Sequence, residues 1–459
     1  MVFSSLVFIL VFLPVVLICD HFVPCKYKNL FLLIANFVFY AYGEPRYIVV
    51  MIASIIVNYL AAIAVEDAMT ARKRKAVLAL SVVLNIGALC FFKYTMLFAD
   101  TLRRLPIFSS IPVLKIVLPI GISFYTFQAM SYVIDVYRGD CRATRNLIDF
   151  AAYISLFPQL IAGPIVRYSD VDRQLYDRRE SVEMFSNGVR LFAIGLAKKV
   201  LLANRLGIVW NTVSSDVSAY GTFGAWLGAV AYALQIYFDF AGYSDMARGL
   251  GKMLGFDFCL NFTYPYISKS ITEFWRRWHI SLSTWFRDYV YIPLGGNRVG
   301  KVRSCINILI VWALTGLWHG AGWNFLAWGM YYGVLLLLEK TVYGKKLASL
   351  PSVFGYVYTI VVVIVGWIFF ASPSFSAAFR YLHVMFVPAN GDFSSLVAWI
   401  PTILIGIVAS TPLFAAAWGI LRIKRRLAVT ETLLCLASLV LCVASLVMSS
   451  YNPFLYFRF

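Results

Sequence analysis

Charged residues are scarce in this sequence. Asp, Glu, Lys and Arg together make up 14% of the 459 residues, whereas an average soluble domain has about 25%. Hydrophobic residues reach 61% and aromatic residues 17%. A chain this poor in charge is not an ordinary soluble globular domain. The composition predicts an all-α polytopic membrane protein, because helices satisfy their own backbone hydrogen bonds inside a bilayer.

Acidic residues are the rarest charged class, with 22 Asp and Glu against 40 Lys and Arg, which gives a net charge of +18. The basic residues lie in short connections between apolar segments, with clusters at 72–75 and 422–426. Such clusters are typical of cytoplasmic loops that contact anionic membrane lipid. No nucleic-acid-binding motif accompanies the charge, so we predict no nucleic-acid partner.

Metal-binding and nucleotide-binding motifs are also missing. The eight cysteines include no Cys-x-x-Cys pair, and the four histidines form no His-Glu-x-x-His pattern, so no metal site is predicted. No Gly-x-Ser-x-Gly elbow, phosphate-binding loop or dinucleotide fingerprint occurs in a suitable context. Serine hydrolases, ATPases and enzymes with a bound dinucleotide are therefore disfavoured, and we predict no bound cofactor.

Long apolar runs dominate the sequence, and no polar linker separates them. We predict one integral membrane domain over residues 1–459. The first run lacks a basic start and an Ala-x-Ala site, so it is predicted to be a span and not a cleaved signal peptide. The predicted spans are 2–19, 30–42, 47–65, 76–92, 147–162, 223–240, 305–318, 323–338, 355–370, 399–418 and 432–448.

His319 stands at the end of one of these runs, before Gly320 and Gly322. A helix from Arg303 to His319 would rise about 24 Å, and a bilayer core is about 30 Å thick. The histidine should therefore lie inside the membrane or at the floor of a cavity. An ionisable side chain at that depth indicates a functional site.

The segment 264–298 is strongly amphipathic when drawn as one helix. Its aromatic residues form one stripe, Arg276 and Arg277 lie on the opposite side, and His279 falls at the edge of the stripe. An interfacial helix with snorkelling arginines would explain the pattern. The alternative is acid–base chemistry on a hydroxyl or thioester by His279 together with His319, because burial favours the neutral imidazole that accepts a proton.

Two further motifs each allow two interpretations. Asp239 ends an apolar run, where it would either pair with an arginine to hold helices together or orient a histidine or a substrate hydroxyl. Proline and glycine interrupt 157–167, which indicates either a kinked helix or a re-entrant loop whose Gln159 lines a cavity.

Several sequence blocks together resemble the membrane-bound O-acyltransferase family. The similarity is greatest to its bacterial branch, which includes the alginate O-acetylation membrane subunit and the teichoic-acid D-alanyl transfer subunit. The most specific blocks are EFWRRWHISLS at 273–283 and LWHG at 317–320. The remaining blocks are FQAMSY at 127–132, AGPI at 162–165, DFAGYSD at 239–245, YIPLGGNR at 291–298 and YNPF at 451–454.

This resemblance implies a fold and a site. The fold would be a ring of about ten to twelve tilted transmembrane helices, with some short or re-entrant helices, around a central funnel. His319 would be the catalytic residue and His279 the second active-site histidine. We predict that the following residues bind substrate or support the histidines: Asp239, Gln159, Arg276, Arg277, Trp318 and Asn324.

The resemblance also implies an activity. We expect an O-acyltransferase that moves an acetyl group from a cytoplasmic thioester, either acetyl-CoA or an acyl-carrier protein, across the bacterial inner membrane to O-acetylate an exopolysaccharide such as alginate. The acceptor would be a serine on a periplasmic partner acyltransferase or the polymer itself. Alternatives are D-alanyl or acetyl transfer to teichoic acid, peptidoglycan or cellulose, and a transporter or flippase without chemistry.

Overall fold

The computed structural model describes residues 1–112, 115–422, 427–448 and 454–455. None of these residues lies in a β-strand, and the prediction of an all-α protein is confirmed. Two sequence features lie largely outside the described residues. Of the basic cluster 422–426 only residue 422 is included, and of the block 451–454 only Phe454.

Helices are numbered in chain order. In the first half of the chain they are α1 (Phe8–Phe22), α2 (Lys28–Gly43), α3 (Ile48–Glu66), α4 (Ala71–Arg103), α5 (Ile122–Arg138), α6 (Leu147–Ser155), α7 (Phe157–Leu160), α8 (Tyr168–Tyr176), α9 (Val182–Ala197), α10 (Asn204–Ser215) and α11 (Val217–Met253). They continue with α12 (Ile271–Arg277), α13 (Ile280–Phe286), α14 (Lys301–His319), α15 (Trp323–Leu338), α16 (Gly344–Ser349), α17 (Ser352–Ala371), α18 (Phe375–Phe386), α19 (Ser394–Val397), α20 (Ile400–Ala409), α21 (Leu413–Arg422) and α22 (Leu427–Met448).

Six helices in the described part of the chain are long and apolar enough to cross a membrane. They are α3, α4, α11, α14, α17 and the Val429–Met448 part of α22. Each contains or overlaps a predicted span, and the protein is a multi-pass membrane protein. The predicted spans near 2–19, 30–42 and 323–338 are helices of fewer than 18 residues, α1, α2 and α15. The ring arrangement of the spans stays a prediction.

Two predicted spans are broken, and only the break near 157–167 was predicted, from its proline and glycine residues. Span 147–162 divides at Leu156, whose ψ of 107° ends α6 before the short α7. Pro158 lies in the first turn of α7, where the missing N–H of proline removes no helical hydrogen bond. Span 399–418 consists of α20 and α21, which are bent by 62°.

The chain folds into two compact units. The first comprises Met1–Phe192 and Ser244–Cys259, and in it α3 packs against α4 and α5. Asn58 of α3 and Asn85 of α4 exchange amide hydrogen bonds of 3.0 and 2.7 Å. Buried polar side chains of this kind join helices where lipid gives no hydrophobic driving force. The single domain over 1–459 stays a prediction.

The second unit, Ala193–Tyr243 and Leu260–Phe459, contains both predicted catalytic histidines. Its closest helix pair is α14 and α15, joined by the short turn at 320–322. Gly316 and Gly329 lie where these helices meet, and a Cβ on Gly329 would overlap the carbonyl oxygen of Trp312. Glycine permits this close approach. Helix α15 also packs against α17 and α12. Aromatic rings of α15 and α17 therefore lie beside the end of α14.

Candidate active site

His319 is the last residue of α14 and is only 3% exposed. Gly320 after it has extended backbone angles, φ −167° and ψ 155°, so the helix ends beside the histidine. The rings of Trp328 and Phe370 pack against the imidazole with centroid distances of 5.0 and 5.5 Å. These aromatic neighbours fix where the imidazole lies.

The segment 264–298 is not one helix, and that prediction was wrong. Helix α12 ends at Arg277, Trp278 is extended, and His279 has the left-handed angles φ 45° and ψ 55° before α13 begins. Among the described residues, Tyr264 is the one other non-glycine residue with positive φ. A left-handed histidine is strained, and it persists only where neighbours hold it. The residue that sequence places at the edge of an aromatic stripe is in fact at a backbone break.

Asn261 holds this break in place. Its side-chain Oδ1 accepts hydrogen bonds from the backbone N–H of Ser281 at 3.2 Å and the Ser281 hydroxyl at 2.9 Å. The same oxygen lies 3.1 Å from Nδ1 of His279. The Asn261 carbonyl also accepts from the N–H of Ile280 at 3.0 Å. These bonds replace the helical hydrogen bonds that the break removes.

His279 is almost completely enclosed, with 1% of its surface exposed. The ring of Phe240 stands nearly perpendicular to it, with a centroid distance of 4.5 Å and an angle of 88°. His279 lies in the segment that connects the predicted spans 223–240 and 305–318. Burial lowers the pKa of its imidazole to about 3. Desolvation disfavours the charged form, so the ring is neutral at physiological pH.

Trp318 contacts both histidines. Its ring centroid is 6.0 Å from that of His279 and 5.0 Å from that of His319. The predicted supporting residue therefore lies where it can fix the spacing of the two imidazoles. Its functional role stays a prediction.

The two histidines line the same cavity, whose volume is about 890 Å³. Aromatic and aliphatic side chains form much of its wall, including Trp275, Trp312 and Leu282. The charged side chains along it are Lys269, Glu273, Arg276, Arg287, Glu339 and Lys340. A largely apolar cavity with a few convergent polar groups is typical of a small-molecule site.

The acidic side chains of the cavity are engaged, which leaves its wall with a basic character. Glu273 forms an ion pair with Arg277 at 2.8 Å. Glu339 is buried and accepts hydrogen bonds from the backbone N–H groups of Ile271 at 2.6 Å and Thr272 at 2.9 Å. Glu339 thereby caps the start of α12, the helix that leads to His279.

The structure separates the two neighbouring arginines. Arg276 is exposed and lines the cavity. Arg277 does not belong to the cavity wall, and its guanidinium bonds to Glu273 and to the carbonyl of Thr263. Asn324 is also outside the wall, and its Nδ2 donates to the carbonyl of Ser372 at 3.3 Å. Substrate binding by these residues stays a prediction.

Asp239 is buried in an ion pair with Lys199. Its second carboxylate oxygen accepts a hydrogen bond of 2.8 Å from the backbone N–H of Leu455. Of the two interpretations of Asp239, the structure therefore favours an ion pair that holds segments together, with lysine in place of the expected arginine. The following residue, Phe240, is the one that contacts His279.

Gln159 belongs to the first unit, where it is completely buried. Its Nε2 donates to the carbonyl of Tyr153 at 2.8 Å, and its Oε1 has no hydrogen-bond partner among the described residues. The broken backbone around it agrees with the helix break predicted from Pro158 and Gly163. Its predicted role in lining a cavity stays a prediction.

Sequence reasoning missed two residues of this site. Asn261 lies 18 positions before His279 in a stretch without periodicity, so no sequence signal pointed to it. Glu339 did carry a signal, because an acidic residue directly after an apolar run is costly unless it is paired.

Residues 142–376 match the membrane-bound O-acyltransferase family. The chain is a membrane-bound O-acyltransferase. Both candidate histidines lie within the matched residues. The cavity that they line is therefore the candidate active site of an O-acyltransferase.

Curated relatives of this membrane-bound O-acyltransferase extend the match beyond those residues. It is 44% identical over 400 residues to a probable alginate O-acetylase of Pseudomonas syringae pv. tomato, covering 86% of this chain and 77% of the relative. It is 39% identical over 490 residues to that of Pseudomonas putida, covering 100% of both. It is 32% identical over 426 residues to a peptidoglycan O-acetyltransferase of Helicobacter pylori, covering 85% and 80%.

Proposed function

We propose that this enzyme moves an acetyl group from a cytoplasmic thioester, acetyl-CoA or an acyl-carrier protein, across the bacterial inner membrane for O-acetylation of an exopolysaccharide of the alginate type. The names of the relatives support the acetyl group and the polysaccharide. His279 and His319 are 40 residues apart in sequence, yet both contact Trp318, which supports a common site.

One observation carries the proposal: both histidines line a single cavity whose wall also presents Arg276 and Lys269. A thioester donor of either kind has a phosphate on its pantetheine arm, and basic side chains complement that charge. In the proposed complex, the apolar remainder of the wall shields the bound thioester from water, which limits its hydrolysis.

The proposed chemistry uses the imidazole of His319 at the end of α14 as the base. In the proposed reaction, His319 removes the proton of the acceptor hydroxyl, whose oxygen then attacks the thioester carbonyl. The carbon–sulfur bond breaks as the new ester forms, and the thiolate leaves and takes the proton from the imidazolium. His279 positions the donor or assists the proton transfer.

The acceptor hydroxyl is either a serine on a periplasmic partner acyltransferase or the polymer itself. The Helicobacter pylori relative favours peptidoglycan as the second candidate polymer. D-alanyl transfer to teichoic acid and acetyl transfer to cellulose are the remaining alternatives from the family resemblance. A transporter without chemistry loses its support, because the chain is an O-acyltransferase.

The test is transfer of label by purified protein in proteoliposomes. Wild type and His319→Ala receive acetyl-CoA labelled in the acetyl group, a candidate periplasmic partner and the polymer. We expect label in partner or polymer with wild type and at least about a 10²-fold lower rate with the variant. His383→Ala is the matched control, because His383 is exposed on α18 and does not line the cavity.

The possible results separate the alternatives. Full activity of His319→Ala would refute its role as the base. Label that enters peptidoglycan fragments but not alginate would replace the proposed polymer. Activity that appears only when an acetylated carrier protein is supplied would identify the donor as the carrier protein.

A further inference from the structure

The hydrogen bonds of Asn261 determine which terminal atom of its side-chain amide is the oxygen and which is the nitrogen. The N–H of Ser281 can only donate, and it is 3.2 Å from the atom that we assign as Oδ1 of Asn261. The acceptor must therefore be the amide oxygen and not the amide nitrogen. The orientation of the Asn261 side chain is thus fixed by a backbone donor.

This orientation has a consequence for the His279 ring. The same oxygen is 3.1 Å from Nδ1 of His279, and an oxygen that only accepts requires a donor at Nδ1. In a neutral imidazole, a proton on Nδ1 leaves the lone pair on Nε2. Nε2 of His279 is buried and has no hydrogen-bond partner among the described residues.

We propose that Asn261 is a positioning residue, which holds His279 in the tautomer with its proton on Nδ1 and leaves Nε2 of this cavity-lining ring as a hydrogen-bond acceptor. In the proposed reaction, on which this assignment of a partner rests, the group that donates to Nε2 is a hydroxyl of the acceptor. A neutral ring in this tautomer cannot donate from Nε2 to the thioester carbonyl.

The backbone supports the same role. The left-handed conformation of His279 is rare for a residue other than glycine, and it interrupts the helical path from α12 to α13. Asn261 anchors the break to the start of α13, because its carbonyl binds the N–H of Ile280 and its side chain binds His279 and Ser281. One residue thus sets both the direction of the ring and its tautomer.

Charged groups near His279 do not override this assignment. The rings packed on it come from Phe240, Phe262 and Trp318, none of which ionises. Two neighbouring elements carry His319, at the end of α14, and Asp239 of α11, which is paired with Lys199. Helix α12 carries the other titratable groups, Glu273, Arg276 and Arg277.

The first test measures the tautomer directly. The chain has four histidines, so histidine-selective ¹⁵N and ¹³C labelling gives few solid-state NMR signals in proteoliposomes. His279→Asn identifies the signals of residue 279 by their loss. We expect a protonated Nδ1 and an unprotonated Nε2 in wild type. A protonated Nε2 would overturn the proposal, whether or not the enzyme transfers acetyl groups.

Variants of Asn261 test its role. Asn261→Leu removes the acceptor, and we expect a mixture of both tautomers and a fall of about 10²-fold in kcat with a smaller change in KM. Asn261→Asp keeps an acceptor and adds a negative charge. It should retain the tautomer but shift the acid limb of the pH–rate profile to higher pH, because the carboxylate stabilises the imidazolium.

Asn58→Leu is the matched control, because Asn58 is a buried asparagine of α3 that bonds to Asn85 and does not line the cavity. It should lower the melting temperature but leave the tautomer and the acid limb unchanged. If Asn261→Leu kept the wild-type tautomer, or if Asn261→Asp and Asn58→Leu had the same pH–rate profile, Asn261 would be structural only. If Asn261→Leu does not fold, the NMR measurement on the wild type still decides the tautomer.

Discussion

Gly316 and Gly329 face each other where α14 meets α15, and a Cβ on Gly329 would lie 3.0 Å from the Cα of Gly316. Real Cβ atoms rarely come so close, and the carbonyl of Trp312 is closer still. The absence of two side chains thus allows the contact that places His319 three residues further along α14 against Trp328.

We therefore expect Gly329→Val to force α14 and α15 apart. Overpacking of this kind costs about 1–3 kcal/mol, and displacement of His319 should remove most of the acyltransferase activity. Melting temperature and label transfer measure the two effects. Gly87→Ala is the control, since a Cβ at residue 87 would have no atom within 4 Å and alanine favours the helix. Normal activity in Gly329→Val would show that the close approach is not required.

The stability of the protein should depend on pH through His279. Its pKa is lowered to about 3 in the fold, whereas an unfolded histidine has a value of about 6.5. The free energy of unfolding is therefore unaffected by this group above the unfolded-state pKa of about 6.5. As the pH falls from about 6.5 towards 3, it decreases by up to about 1.4 kcal/mol per pH unit, because the unfolded chain binds a proton that the folded chain does not.

This prediction is checked by the melting temperature between pH 7 and pH 5. Wild type should lose more stability on acidification than His279→Asn, which has no group that titrates at residue 279. Parallel curves for the two proteins would contradict the prediction.

The buried pair of Lys199 and Asp239 should be structural. Removal of one partner leaves a buried charge unpaired and costs about 3–5 kcal/mol. Asp239→Leu alone should therefore lower the melting temperature strongly, and Lys199→Met with Asp239→Leu should regain part of the loss. Restored activity in the double variant would exclude Asp239 from the chemistry. A stable but inactive double variant would favour the functional interpretation of Asp239 instead.

Arg276 and Arg277 should differ in their effects on catalysis. Arg276 lines the cavity, so Arg276→Ala should raise the KM for the thioester about tenfold, which equals about 1.4 kcal/mol. Arg277 binds Glu273 outside the wall, so Arg277→Ala should change stability more than KM. Steady-state kinetics at two salt concentrations test this, because screening weakens the Arg276 contact further. Equal KM changes in both variants would contradict the assignment.

The burial of His319 at a helix end could be predicted because its sequence signal is local. An apolar run, a histidine and then glycines at 320 and 322 specify a helix that ends at an ionisable residue. The family resemblance added His279 to the site. The conformation of His279 could not be predicted, because the aromatic stripe continues at helical spacing on both sides of the break.

The interaction partners of the predicted residues were harder to predict from sequence than the residues themselves. Asp239 showed that a buried carboxylate needs a cation, but nothing in its neighbourhood identified Lys199, which is 40 positions away. Asn261 is a polar residue in a loop, and its importance depends entirely on the backbone that it meets in space. Periodicity describes which face of an element is apolar, whereas long-range side-chain bonds depend on the tertiary fold.

The left-handed backbone at His279 limits which substitutions can remove the imidazole without changing the backbone. Alanine is the best helix former, and it cannot make the hydrogen bond from residue 279 to Asn261. His279→Ala therefore favours one continuous helix in place of α12 and α13. That change would rotate every later residue of the segment and report on a new conformation as well as on a missing imidazole. Asparagine tolerates the left-handed region, and His279→Asn therefore isolates the chemistry of the ring.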